Sequence, residues 1–114
     1  MAIWWSPHKW GRYGEDVIVE QISAAIGAKV SGVDLCAGIS DAQRDEILDA
    51  LHRHHVLFFE NQPLSPLQHR DLAAKFGELH VHPFYPHDGE VEEIIVLDTN
   101  DNNPPDSDTW HTDV

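Results

Sequence analysis

Apolar and polar residues alternate in the first part of the chain, which is the pattern of half-buried β-strands. The pattern covers residues 17–22 and 26–35, and Gly32 would permit a bend or a bulge in the second stretch. The apolar residues of that stretch that we expect to face the core are Ile26, Ala28 and Val30. The sequence therefore predicts two strands that pair as a hairpin around residues 23–25.

Two segments carry the start signals of α-helices. Ser40 is followed by Gln43, and Ser65 by Gln68, which is the spacing in which the serine caps the helix and the glutamine reaches back to the cap. Pro66 suits the first position of the second helix. The side chains that we expect to face the core are Ile47, Leu48 and Leu51 in the first helix and Leu67, Leu72, Ala73 and Phe76 in the second.

Two short runs, residues 56–59 and 94–97, are wholly apolar, which predicts strands that are buried on both faces. The segment 79–87 between them holds two prolines, which exclude a helix and limit any strand to the edge of a sheet. Its density of imidazole and aromatic side chains suggests the wall of a pocket. Taken together, the elements predict an α+β chain with two helices packed on a mixed sheet.

The length, charge and cysteine content limit the classes of protein to which the chain can belong. The chain has 114 residues, enough for one domain with a modest core. Its net charge of -13 disfavours nucleic acid and anionic membranes as partners. No segment reaches the length of a membrane span, and the N-terminus lacks the apolar region of a signal peptide. The single cysteine, Cys36, is expected to be a packing residue and suits a reducing compartment, so we expect a cytoplasmic protein.

Residues 1–16 differ from the rest of the sequence. They carry several aromatic side chains without clear periodicity, and Pro7, Gly11 and Gly14 interrupt any regular element. They form either an aromatic arm that docks on the body or on another subunit, or a loosely ordered leader. Because no repeat or linker divides the remainder, we expect residues 17–114 to belong to a single domain.

The last residues of the sequence hold a candidate metal pair, His111 and Asp113. In an extended strand, residues i and i+2 point to the same face, so an imidazole nitrogen and a carboxylate oxygen could bind one ion. Such mixed ligation suits zinc, manganese or ferrous iron, and another histidine would complete a facial triad of two histidines and one carboxylate. The histidines among residues 52–55 are interpreted instead as surface and boundary residues at the end of a helix.

Six segments stand in a characteristic order: Ile26-Gly-Ala-Lys-Val-Ser-Gly-Val-Asp-Leu35, His54-His-Val-Leu-Phe-Phe59, Phe76-Gly-Glu-Leu-His80, His82-Pro-Phe-Tyr-Pro-His87, Glu93-Ile-Ile-Val-Leu-Asp98 and Trp110-His-Thr-Asp-Val114. In this order the chain resembles the taurine dioxygenase family of iron(II)/2-oxoglutarate-dependent oxygenases. The resemblance leaves residues 1–16 outside. It implies a double-stranded β-helix (jelly-roll) fold, iron(II) held by His111 and Asp113, and 2-oxoglutarate chelated at the open positions of the metal.

The resemblance also implies a binding site for a small anionic substrate. In the family's taurine-specific enzymes, the positions that match His82 and Tyr85 contact the sulfonate and amine ends of the substrate, and the backbone amide that matches Val114 helps to hold the sulfonate. By spacing alone, His82 would be a turn histidine and Tyr85 a packing aromatic. Ser107 stands where those enzymes have an asparagine that meets the amine, which leaves other sulfonates and alkylsulfates open as substrates.

We therefore expect the amino-terminal part of such an enzyme, acting in sulfur assimilation. The sequence contains no match for the distal iron-binding histidine or for the arginine that pairs with 2-oxoglutarate. The expected reaction couples oxidative decarboxylation of 2-oxoglutarate to hydroxylation of the carbon next to a sulfonate or sulfate group. The alternative is a truncated, non-catalytic remnant of such an enzyme. Apolar strands without cover on both faces also predict a homo-oligomer.

Overall fold

The computed structural model of the protein describes residues 11–13 and 17–104. The described residues fall into two compact units, which divide between Leu79 and His80. The first unit contains β1 (Gly11–Tyr13), β2 (Val17–Gln21), β3 (Ala28–Ser31), α1 (Asp41–His54), β4 (Leu57–Phe59) and α2 (Pro66–Ala74). The second contains β5 (His87–Asp88) and β6 (Val91–Ile95).

A four-stranded mixed sheet organises the first unit. The strand order is β1-β2-β3-β4, with β1, β2 and β3 antiparallel to one another and β3 parallel to β4. The predicted hairpin between β2 and β3 is confirmed, with Val19 opposite Val30. Parallel neighbours need a crossover connection, and α1 lies within the one that joins β3 to β4. The predicted α+β arrangement of two helices and a mixed sheet is thus present.

One face of this sheet forms the core together with α1. The buried apolar residues are Val17, Val19, Ala28, Val30, Val33, Leu35, Ile39, Ile47 and Ala50. Ile26 was expected to belong to this set, but its side chain is 53% exposed. The reason is Gly27, whose φ of +103° interrupts the extended backbone, so that the regular alternation begins only at Ala28.

Both predicted capping boxes are present. At α1, Ser40 Oγ accepts from the Gln43 amide at 3.1 Å, and Gln43 Oε1 accepts from the Ser40 amide at 3.0 Å. The helix ends as His55 adopts the left-handed conformation and donates its amide to the Leu51 carbonyl at 2.7 Å. Ile47 and Ala50 are buried. Leu51 was expected to be buried too, but its side chain is 38% exposed.

The helix α2 buries less than the sequence suggests. Its Leu72 packs against the core, whereas Leu67 is 49% exposed and Phe76 is 40% exposed. Leu67 and Leu72 are five residues apart, which turns their side chains about 140° from each other around the axis, so they cannot share one face. Phe76 lies beyond the last helical residue. Neither described helix is long and apolar enough to cross a membrane.

The two wholly apolar runs are not buried on both faces, contrary to expectation. In β4, Leu57 and Phe59 pack against the core, but Phe58 points to the other face and is 51% exposed. Among the described residues β4 is an edge strand with one covered face. The second run begins inside β6 and continues past its end, and Leu97 is 73% exposed. The jelly-roll fold implied by the resemblance is consistent with these elements and stays a prediction.

The second unit is a small hairpin. The strands β5 and β6 pair antiparallel with an irregularity in register between His87 and Asp88, and a turn at residues 89–90 joins them. Val91 is its buried residue, at 2% exposure. The Val96 amide donates to the Pro86 carbonyl at 2.9 Å, which ties the proline-containing segment to the residues that follow β6.

Candidate functional site

The predicted site residues divide into two groups. The substrate-contact candidates His82 and Tyr85 lie in the described second unit. The remaining four lie outside the described residues, and their roles stay predictions: Ser107, His111, Asp113 and Val114. The two described residues are three positions apart in one segment.

His82 and Tyr85 belong to a segment with no regular secondary structure, residues 79–86. Pro83 and Pro86 lack a backbone N–H and fix φ, so the segment can neither continue a helix nor enter the middle of a sheet. The backbone is therefore free to turn locally, and the turn places the amides of Phe84 and Tyr85 beside the preceding imidazole ring.

The imidazole of His82 closes this turn through its Nδ1 atom. The Phe84 amide donates to Nδ1 at 3.2 Å, and the Tyr85 amide donates to the same atom at 3.3 Å. A neutral imidazole has one protonated and one unprotonated nitrogen. Because Nδ1 accepts hydrogen bonds here, the proton lies on Nε2, and Nε2 is the donor of the ring.

Three rings surround the half-buried His82 side chain. The Tyr85 ring lies closest, with its centroid 4.7 Å from that of His82 and its plane tilted by 48°. Phe84 and His80 meet the His82 ring edge-on, at 6.1 Å and 6.2 Å. These separations fall in the range in which aromatic rings attract one another. The rings thus restrict the orientation of the imidazole that the two amides already hold.

The structure places the side chains of the two predicted substrate contacts, His82 and Tyr85, against each other. Their expected contacts with the two ends of a substrate do not require this packing. His82 is a turn histidine and Tyr85 is a packing aromatic, as spacing alone indicates, and the two rings pack on each other. Sequence reasoning missed the contacts of His80 and Phe84. A signal for them exists in the density of imidazole and aromatic side chains between residues 80 and 85.

Hydrogen bonds connect the two sides of the loop at residues 98–103, which precedes the predicted metal ligands in the sequence. The Asn100 amide donates to the Asn103 carbonyl at 2.9 Å, and the Asn103 amide donates to the Asn100 carbonyl at the same distance. Asn100 Oδ1 also accepts from the amides of Asn102 and Asn103, and Asn103 Nδ2 donates to the Asp98 carbonyl. These hydrogen bonds hold the polar residues 98–103 in a closed loop.

A metal site is not formed by the described residues alone. Within residues 17–104, no group of three or more His, Cys, Asp or Glu side chains could hold an ion. The histidines of residues 52–55 lie at the end of α1, whose last residue is His54 and whose C-cap is His55. The donor types of His111 and Asp113, an imidazole and a carboxylate, fit ferrous iron and similar first-row ions.

Comparison with known proteins gives a consistent set of relatives. The sequence model of the taurine catabolism dioxygenase TauD, TfdA family matches residues 18–114. An alkylsulfatase of Acinetobacter baylyi and an alpha-ketoglutarate-dependent sulfate ester dioxygenase of Pseudomonas putida are each 33% identical over 97 residues, 84% of this chain. A solved taurine dioxygenase from Burkholderia xenovorans is 36% identical, with a TM-score of 0.64 over 68% of this chain.

The chain corresponds to a part of these relatives. It spans 30% and 32% of the two curated proteins and 28% of the solved chain. The family match begins at residue 18, before Ile26, the first residue of the six segments that carry the resemblance. The match therefore includes most of β2. Since the match covers most of the sequence, the chain belongs to the taurine catabolism dioxygenase TauD, TfdA family.

Proposed function

We propose that the protein acts as an iron(II)- and 2-oxoglutarate-dependent dioxygenase on a small sulfate ester or sulfonate. The observation that carries this proposal is the family match over residues 18–114, a range that includes both predicted metal ligands. The names of the curated relatives support the reaction class, since one is an alpha-ketoglutarate-dependent sulfate ester dioxygenase and the other an alkylsulfatase.

In this proposal His111 and Asp113, two positions apart in the sequence, would hold the metal. When bound, iron(II) with 2-oxoglutarate supplies the oxygen chemistry, in which decarboxylation to succinate and carbon dioxide accompanies hydroxylation of the carbon next to the sulfate or sulfonate. The hydroxylated product of a sulfate ester then breaks down to an aldehyde and sulfate, and that of a sulfonate to an aldehyde and sulfite. The chain's own residues bind and orient the substrate.

The head group of the substrate is assigned to the segment around His82. Its Nε2–H donates to an oxygen of the sulfate or sulfonate, and the backbone amide of Val114 is the second donor in the proposal. Hydrogen bonds to an anionic acceptor are about twice as strong as neutral ones. Tyr85 holds the imidazole from one side and provides a hydroxyl for the remainder of the substrate.

Among the two substrate classes we favour sulfate esters over taurine. Taurine carries an ammonium group, and the shorter Ser107 side chain stands where the family's taurine-specific enzymes place an asparagine. Simple alkyl sulfates carry no ammonium group and do not need that contact. Both curated relatives are also named for sulfate ester chemistry.

Succinate release by the native protein tests this proposal. With iron(II), 2-oxoglutarate and oxygen, we expect an alkyl sulfate to stimulate succinate formation more than taurine does, with an equal amount of sulfate released. Asp113→Ala should abolish turnover because it removes an anionic ligand. Asp101→Ala, in the exposed loop, is the matched control and should retain activity. Full decarboxylation by Asp113→Ala, or stimulation by neither substrate, would contradict the proposal.

A further inference from the structure

The two faces of the four-stranded sheet differ in how far they are covered. Val19 of β2 and Leu57 of β4 pack in the core on the side of α1. Successive side chains of a strand point to opposite faces. On the other face Ile18 and Phe58 are exposed, as is Ile22 just after β2. We call this side the outer face of the sheet.

Charged side chains also lie on the outer face. Lys29 of β3 stands opposite Glu20 of β2, and its Nζ atom lies 2.8 Å from a carboxylate oxygen of Glu60. Two carboxylates therefore surround one ammonium group. The outer face combines exposed apolar side chains with a net negative charge.

Residues 1–10 lie outside the described residues, and their sequence is complementary to the outer face. They contain one lysine, Lys9, and no acidic residue, although the whole chain has a net charge of -13. Their large apolar side chains are Ile3, Trp4, Trp5 and Trp10. An apolar and basic segment is the kind of partner that an apolar and acidic face would bind.

The register of β1 brings this segment to the correct end of the sheet. The strand is antiparallel to β2, with Gly11 opposite Val19 and Tyr13 opposite Val17. The backbone therefore enters β1 from the end at which β2 stops, and Ile22 lies at that end. Ten extended residues span up to about 33 Å, whereas three strand spacings, the distance from β1 to β4, amount to about 14 Å.

We propose that residues 1–10 dock on the outer face of the sheet of their own chain, with tryptophan side chains against Ile22 and Phe58 and with Lys9 beside Glu20. Tryptophan has a large apolar area to bury, about 150–250 Å² for each side chain. Attachment through β1 keeps the segment at an effective concentration of about millimolar. This favours the segment's own face over that of a second copy.

Docking of this segment would also limit association between copies. A second copy that binds through Ile22 and Phe58 competes with residues 1–10, so only chains that have released the segment can associate in this way. Salt weakens the attraction between Lys9 and the carboxylates and also screens the repulsion between two acidic copies. Both effects favour association at high ionic strength.

Tryptophan fluorescence tests the docking without any turnover. In the protein with Trp110→Phe, all emission comes from the three tryptophans of residues 1–10. We expect emission shifted to the blue and acrylamide quenching weaker than that of free tryptophan. Adding Phe58→Ser should shift the emission to the red and increase quenching. Leu67→Ser, which removes an exposed apolar side chain of α2, is the matched control and should change neither.

The outcomes that would overturn the proposal are distinct. Emission and quenching like those of free tryptophan before Phe58→Ser is introduced would show that the segment does not dock. Blue-shifted emission that Phe58→Ser leaves unchanged would place the tryptophans on another surface. An equal response to Phe58→Ser and Leu67→Ser would also exclude the outer face. Quenching that increases on dilution would assign the segment to a second copy instead of its own chain.

Reversal of one charge tests the electrostatic part and leaves the core untouched. Lys9→Glu places a carboxylate near Glu20, so it should release the segment and give the same red shift as Phe58→Ser. Lys75→Glu, at the C-cap of α2, changes the net charge equally and should leave the emission unchanged. An unchanged spectrum in Lys9→Glu, or the same shift in Lys75→Glu, would refute the contact of Lys9 with the outer face.

Discussion

Gly27 lies where the first hairpin enters β3, and its backbone conformation is open only to glycine at low cost. Its φ is +103°, and a Cβ placed there would lie 3.3 Å from Ile22 Cγ1 and 3.6 Å from Phe58 Cε2. Its amide also donates to the His54 carbonyl at 2.8 Å, which joins the hairpin to the end of α1. The residue thus connects three elements at one point.

We expect Gly27→Ala to lower the free energy of unfolding by about 1–3 kcal/mol, the usual cost of a residue held in a sparsely populated backbone region. Gly77→Ala is the matched control, because it has no positive φ and no atom within 4 Å of the added Cβ. The control should be neutral or slightly stabilising. Urea unfolding followed by circular dichroism measures both, and an equal loss in the two variants would contradict this account of Gly27.

At the scale of elements, the two capping boxes have the same residues but different connections. Gln43 closes the box of α1. Gln68 closes the box of α2, where its Oε1 accepts from the Ser65 amide at 2.9 Å, and its Nε2 also donates to the Cys36 carbonyl at 2.8 Å. The Gln68 side chain therefore holds both the start of α2 and the loop at Cys36, which lies 32 residues earlier.

Gln68→Ala should consequently cost more stability than Gln43→Ala. Gln43→Ala removes one exposed capping bond, for which we expect about 0.5–1 kcal/mol. Gln68→Ala also leaves the half-buried Cys36 carbonyl without this partner, and we expect about 1–3 kcal/mol. Parallel denaturant titrations of the two variants provide the comparison. A loss for Gln43→Ala equal to or above that for Gln68→Ala would refute the double role.

The elements also show why some features could be predicted from the sequence and others could not. Capping boxes and the hairpin depend on residues within a few positions, and Ser40 with Gln43 carries that signal directly. The burial of Phe58 or Leu67 depends on which layer covers each face, and that is set by distant parts of the chain. The acceptor role of His82 Nδ1 depends on the backbone torsions of residues 83–85, which residue spacing does not specify.

At the scale of the whole molecule, the strong negative charge coexists with exposed apolar surface. Ile22 and Phe58 are 53% and 51% exposed, and both lie beside Gly27; we refer to these two side chains as the outer apolar patch. Next to it, Lys29 Nζ pairs with Glu60 at 2.8 Å, and the hydrogen bond and charge of Glu60 raise the lysine pKa from its ordinary value. The lysine thus stays charged beside the patch at neutral pH.

We expect self-association through the outer apolar patch, opposed by the net charge of -13. Because salt screens repulsion between like charges, association should increase with ionic strength, and Phe58→Thr should weaken it at every salt concentration. Leu67→Thr is the control, since Leu67 is 49% exposed on α2 and is no part of the patch. Sedimentation velocity measures the change. Monomers under all conditions, or equal association in Phe58→Thr and wild type, would contradict the expectation.

The division of the chain between Leu79 and His80 also bears on the order in which parts of the protein fold during synthesis. Translation releases a chain from its N-terminus, and domains generally fold as units in that direction. The sheet, both helices and the core of the first unit use contacts that are complete once residue 79 has emerged. The turn of His82 and the predicted ligands His111 and Asp113 are synthesised afterwards. The parts proposed for chemistry are therefore added late to a scaffold that can already have formed, and the predicted ligands are synthesised only after the first unit has had time to fold.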